Sequence, residues 1–190
     1  TDTDRDVKTM NMTRMDALMK YWTDPETTII PAGETDQIIA WLGQQDADTW
    51  HKVVLTWNYD HGDRVLNWIL DQEACDRGTA ARVFMVEGMG NWGDHVLQID
   101  IAVFEGDPLC GKVLRNWPTY QSAELGHGSH IPDGALERVD AAGRFKGHVI
   151  DDVLHHAGTR EAVSQFASED GKIVIDFDHW LDRQGITLTD

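Results

Sequence analysis

Four histidines in the second half of the chain are the side chains best suited to metal-assisted hydrolysis. His127 and His130 sit in Gly126-His127-Gly128-Ser129-His130, a stretch loose enough to wrap a cation, and His155 and His156 follow, with His148 between. A catalytic zinc wants three protein ligands and one open position. On a helix, adjacent His155 and His156 point about 100 degrees apart, so they make a poor joint grip. The competing reading is exposed loop histidines and helix-end cations that answer the helix dipole. That reading expects no metal and no other cofactor, and the metal-dependent hydrolase stands as the alternative.

Other reactive patterns are incomplete. Gly106-Asp107-Pro108-Leu109-Cys110-Gly111-Lys112-Val113 approaches a phosphate-binding loop, but Val113 stands where a hydroxyl should hold magnesium, and Pro108 removes an amide. No Gly-x-Ser-x-Gly elbow occurs. Cys75 is followed by Asp76, whose charge opposes a thiolate, so Cys75 reads as a core residue. No catalytic residue is assigned on these grounds. Asn58, Asp60 and Asp63 resemble pieces of a calcium loop, but Gly62 is fifth from Asn58 and the twelfth position is Ile69. Caps explain them better. Asn58 suits an Asx turn, Gly62 a positive φ, Asp63 the cap of the helix entering Val65, and Asp76 a cap bonding the amide of Gly78 or Thr79.

Helices must position these groups. The spacing of Met15, Leu18, Met19 and Trp22 is helical. Asp24-Pro25 and Pro31-Ala32-Gly33 interrupt, and a second helix is predicted from about Asp36 to Gln45. Asp46 or Asp48 caps a third, which buries Trp50, Val53, Val54 and Trp57. A short helix carries Val65 to Leu70, and a strong one runs from Thr79 to Glu87 with Ala80, Val83, Phe84 and Val86 as its stripe. Val96 to Phe104 mixes both periods and is read as helix, ended by Gly106-Asp107-Pro108. Residues 116–134 read as loop. Helices are predicted near 135–147, 149–156 and 159–168. Ile173 to Phe177 alternates like a strand, whereas Phe177, Trp180 and Leu181 continue at helical spacing. The expectation is one mainly α domain over residues 1–190: a compact array of short helices with a minor strand element in the C-terminal half and a frayed start over 1–12.

Composition narrows the partners. Over 190 residues there are 16 basic and 33 acidic side chains, a net charge of −17, and 24 of the acids are Asp. This charge disfavours nucleic acid and anionic membranes and favours a basic protein partner. A salt-adapted surface is the bland alternative. The longest apolar run, Ile38 to Leu42, is far short of a membrane span. Two cysteines make no disulfide framework. Reduced thiols and no visible signal peptide suggest the cytoplasm, or the periplasm if a leader was removed.

Trp57-Asn58-Tyr59-Asp60-x-Gly62, Trp68-Ile69-Leu70 and Cys75-Asp76-x-x-Thr79-Ala80-x-x-Val83-Phe84 together resemble bacterial domain-of-unknown-function family 4274 over about residues 45–90. The resemblance implies an architectural motif made by Asn58, Asp60, Gly62, Asp63, Cys75, Asp76, Thr79 and Phe84. It also implies a small accessory protein of the toxin–immunity kind, which would neutralise a secreted toxin domain by binding it. On this expectation Asp133, Asp140, Asp151, Asp152, Asp176 and Asp178 are contact residues, with Trp92, Trp117 or Tyr120 as aromatic anchors.

Overall fold

A computed structural model of the chain describes residues 10–31, 35–88, 98–121, 134–158, 166–169 and 172–189. The fold is mainly α. Helices α1 (Arg14–Thr23), α2 (Thr35–Leu42), α3 (Ala47–Thr56), α4 (Arg64–Leu70) and α5 (Arg77–Glu87) are followed by α6 (Ile101–Gly106), α7 (Pro108–Asn116), α8 (Ala135–Ala141), α9 (Val149–Leu154) and α10 (Phe177–Gln184). Aspartates start many of them. Asp46 accepts from the Thr49 amide (2.9 Å), Asp76 from Gly78 (2.6 Å), Asp100 from Ala102 (3.0 Å) and Asp176 from Asp178 (3.0 Å). Each carboxylate satisfies an orphan donor of the first turn and meets the positive end of the helix.

The large core joins α2–α7, α8 and α9. Leu42, Leu66, Ile69, Val83, Phe84, Phe104, Val113, Phe145 and Ile150 are almost fully enclosed there. A smaller core gathers Ala17, Tyr21, Ile175, Trp180, Leu181 and Ile186. Strand β4 (Lys172–Ile175) supplies Ile173 to the first core and Ile175 to the second. It is central in a sheet with β2 (Thr28–Pro31) and β3 (Phe166–Glu169), both antiparallel to it. Strand β1 (Met10–Thr13) pairs in parallel with β5 (Ile186–Thr189), Met10 opposite Ile186.

The strand element in the C-terminal half is therefore present, with N-terminal partners added to it. Met10 to Met12 are paired strand where a frayed start was expected, and Phe166–Glu169 is strand where a helix was expected. Helix α6 begins only at Ile101, because Asp100 caps it.

Candidate functional site

The turn that carries the motif is architectural. Asn58 Oδ1 accepts from the Asp60 amide (3.0 Å), and Gly62 holds φ +82°, a region that favours glycine. The Trp57 indole donates to the Gly62 carbonyl (3.2 Å). Asp63 corrects an expectation: it precedes α4 but lies in helical backbone (φ −102°, ψ −5°), and its side chain makes no cap bond. Asp76 caps α5 as expected. Thr79 faces His51 Nδ1 at 3.0 Å inside the core, and Phe84 packs on Phe104 with ring centroids 5.6 Å apart. Cys75 and Cys110 are buried and unbridged. Burial, then the neighbouring Asp76 charge, pushes the Cys75 thiol up to about 12, so it stays protonated at neutral pH.

The phosphate-loop resemblance dissolves in α7. The amides of Leu109 and Cys110 already donate to Asp107 Oδ1 (3.0 and 2.7 Å). Lys112 Nζ is held by the Asn67 carbonyl (3.1 Å) and Asp71 Oδ1 (2.7 Å). Gly111 permits α6 and α7 to meet, since a Cβ there would collide with the Glu105 carbonyl.

A cluster of polar side chains does assemble where α8 and α9 meet. Asp140 stands on α8, Asp151 on α9, and His155 ends α9. His155 Nε2 lies 3.0 Å from Asp140 Oδ2, and its Nδ1 lies 2.9 Å from the Asp151 carbonyl and 3.3 Å from Asp151 Oδ1. The bond to that carbonyl, then the bond to Asp140, raises the His155 pKa. Asp140, Arg144, Lys146, Asp151 and His155 line a cleft of about 330 Å³. His155 also borders a cleft of about 500 Å³ with Arg77, Trp117, Pro118, Asp152 and His156.

His155 and His156 diverge as their adjacency requires. The His156 ring sits edge-on to Trp117, centroids 5.7 Å apart, and lines the cleft that also holds Asp152. His148 is committed elsewhere: its Nδ1 accepts from the Ile150 amide (3.2 Å), capping α9, and its Nε2 meets Glu105 Oε1 at 3.3 Å. The expected four-histidine set is not brought together by the described residues. His127, His130, Asp133 and Trp92 lie outside them.

Among the expected contact residues, Asp140, Asp152 and Asp178 are exposed, and Asp151 and Asp176 half-buried. Asp176 has a structural duty as the cap of α10. Trp117 and Tyr120 are corrected as aromatic anchors: at 5% and 6% exposure they are core residues. Large apolar side chains are exposed on α1 instead. Met15, Met19 and Trp22 are 67%, 60% and 53% exposed. At 100 degrees per residue these three share one face, roughly opposite Ala17 and Tyr21, which enter the small core. Tyr21 fixes α1 against α10: its hydroxyl donates to the Ile175 carbonyl (2.6 Å), and its ring lies 5.2 Å from Phe177 and 5.5 Å from Trp180.

Residues 45–96 match the family model of a domain of unknown function, DUF4274. The match takes in α3, α4 and α5 with the turn and caps described above. Comparison with curated proteins and with solved structures gives no match. The similarity thus falls on the architectural motif; the α8–α9 cluster and the α1 face lie outside it. No helix among the described residues is long and apolar enough to cross a membrane.

Proposed function

We propose that this chain is an acidic protein-binding protein that neutralises a basic partner by direct contact, the partner being a secreted bacterial toxin domain. One observation carries the reading as a binding protein: the exposed apolar face of α1. A contiguous apolar face rimmed by polar groups marks an interaction site more often than a scattered exposed side chain does. Trp22 is the residue type that dominates binding energy at interfaces, and the two methionines adapt to an irregular partner surface.

The net charge of −17 sets the sign of the partner. It attracts a basic surface at long range and speeds encounter. Asp178 stands exposed on α10, whose Phe177 and Trp180 pack against Tyr21 of α1. Asp140, Asp151 and Asp152 offer further acidic contacts at α8–α9. The toxin identity is an expectation drawn from the resemblance of residues 45–90 to a family of unknown function, members of which resemble toxin–immunity proteins.

Co-expression with secreted toxin domains encoded beside this chain tests the proposal. The expected result is a complex that co-purifies and a toxin that no longer inhibits growth. Absence of both with every such domain overturns it.

A further inference from the structure

We propose that the cleft between the start of α5 and the end of α9 binds a free amino acid, with Arg77 and His156 receiving its carboxylate and Asp152 its ammonium group. The cleft has a volume of about 500 Å³ and is lined by Arg77, Trp117, Pro118, Asp152, His155 and His156. That lies within the roughly 300–1,000 Å³ usual for small-molecule sites. The site is separate from the α1 face on which the partner reading rests.

Backbone bonds fix the walls. The amide of Arg77, the first residue of α5, donates to the Gln121 carbonyl (2.9 Å), and the Gln121 amide donates to the Cys75 carbonyl (2.9 Å). These bonds tie the chain just after the 3-10 turn Trp117–Thr119 to the start of α5. Trp117 forms the base. The Arg77 guanidinium lies over its ring, 5.5 Å from the centroid, and His156 meets it edge-on. Trp117 is itself a core residue, so both donors rest on a rigid support.

What the two donors lack is an acceptor. Arg77 Nε and His156 Nε2 are enclosed atoms with no hydrogen-bond partner. Arg77 makes no ion pair among the described residues, although Asp152 lines the same cleft and acids outnumber bases 33 to 16 in the chain. Enclosed polar atoms without partners are costly and rare in native folds, which points to an acceptor the chain itself does not supply. His155 borders the cleft too, but its nitrogens are taken by Asp140 and the Asp151 carbonyl. A guanidinium offers a planar fork that matches the two oxygens of a carboxylate. A simple anion would be repelled by the net charge of −17 and by Asp152. A zwitterion is neutral at long range, and its ammonium group turns Asp152, exposed and likewise unpaired among the described residues, into a partner. Carboxylate and ammonium on one carbon define a free amino acid, whereas each end of a peptide carries only one of them.

The test adds each standard amino acid in turn to the full chain at millimolar concentration, follows the His156 ring and Trp117 indole signals by NMR, and measures affinity by calorimetry. The expected result is one site per chain for at least one of them. Its N-acetyl and amide forms, each lacking one of the two charges, are expected to bind more weakly on the order of ten-fold or more. Asp152→Asn, an exposed and isosteric change, is expected to weaken the free amino acid by a similar factor and to leave the N-acetyl form as it was. Arg77→Gln weakens both, and circular dichroism shows whether each variant has folded. Signals that no amino acid moves, an N-acetyl or amide form that binds as well as the free amino acid, or affinity unchanged in Asp152→Asn would each overturn the proposal. None of these readouts involves a partner, so failure here leaves the binding-protein reading to its own test.

Discussion

At the scale of single residues, the commonest charged side chain is spent on helix starts. Asp46, Asp76, Asp100, Asp107 and Asp176 each accept from first-turn amides. Asp24 instead accepts from the Trp180 indole (2.9 Å) and the Glu26 amide (2.9 Å), and these bonds, the indole first, hold its carboxyl below the usual range. A carboxyl depressed in the folded state stabilises the fold above its unfolded pKa, and that contribution is lost as pH falls through the folded value. Asp24→Asn keeps an acceptor for the indole but cannot titrate. It is expected to flatten the loss of stability below about pH 4, measured by urea melts across the acid range. Thr79→Val removes the hydroxyl that faces buried His51. It is expected to cost about 1–3 kcal/mol by denaturant melting, since the buried hydrogen bond between Thr79 and His51 is lost. Both caps that match the sequence reading, Asp46 and Asp76, act within three residues. Asp63 does not, because its backbone is helical rather than the extended geometry of an N-cap, and local composition does not encode that.

At the scale of elements, periodicity located helices better than it located their faces. The stripe Trp50, Val53, Val54 and Trp57 is buried as its spacing predicts. On α1 the spacing of Met15, Met19 and Trp22 is equally helical, yet the buried side is Ala17 and Tyr21. Nothing local distinguishes an apolar stripe that meets a core from one that stays exposed. Helix α7 was hidden by its resemblance to a phosphate loop, although Asp107-Pro108 is a cap followed by a first-turn proline. The pairing of Met10 with Ile186 spans the whole chain, and no window of local alternation could reveal it. The α6–α7 contact makes a sharp prediction. Gly111→Ala forces a methyl against the Glu105 backbone and is expected to destabilise by about 1–3 kcal/mol, read from the urea midpoint. Gly106→Ala, with open space around its Cβ position, serves as the control.

At the scale of the whole molecule, charge and shape point the same way. On the proposed reading, a net charge of −17 over 190 residues would steer a basic partner, and the exposed face of α1 would give it an apolar place to rest. The acidic charge on which the proposed partner rests is legible from composition. The exposed apolar face is not, because exposure is a property of the assembled fold: Trp117 and Tyr120 turn inward and Trp22 outward. Attraction between exposed charges is screened over about 8–10 Å near physiological salt. Association with the partner should therefore slow as salt rises, while the apolar contact persists. The most direct measurement of the central claim is the affinity of the purified chain for its cognate toxin domain, native against Trp22→Ala, at two salt concentrations. The account predicts that Trp22→Ala weakens binding by more than about 1 kcal/mol at both salts with the urea midpoint unchanged. Native-like affinity in Trp22→Ala, or association indifferent to salt, would contradict it.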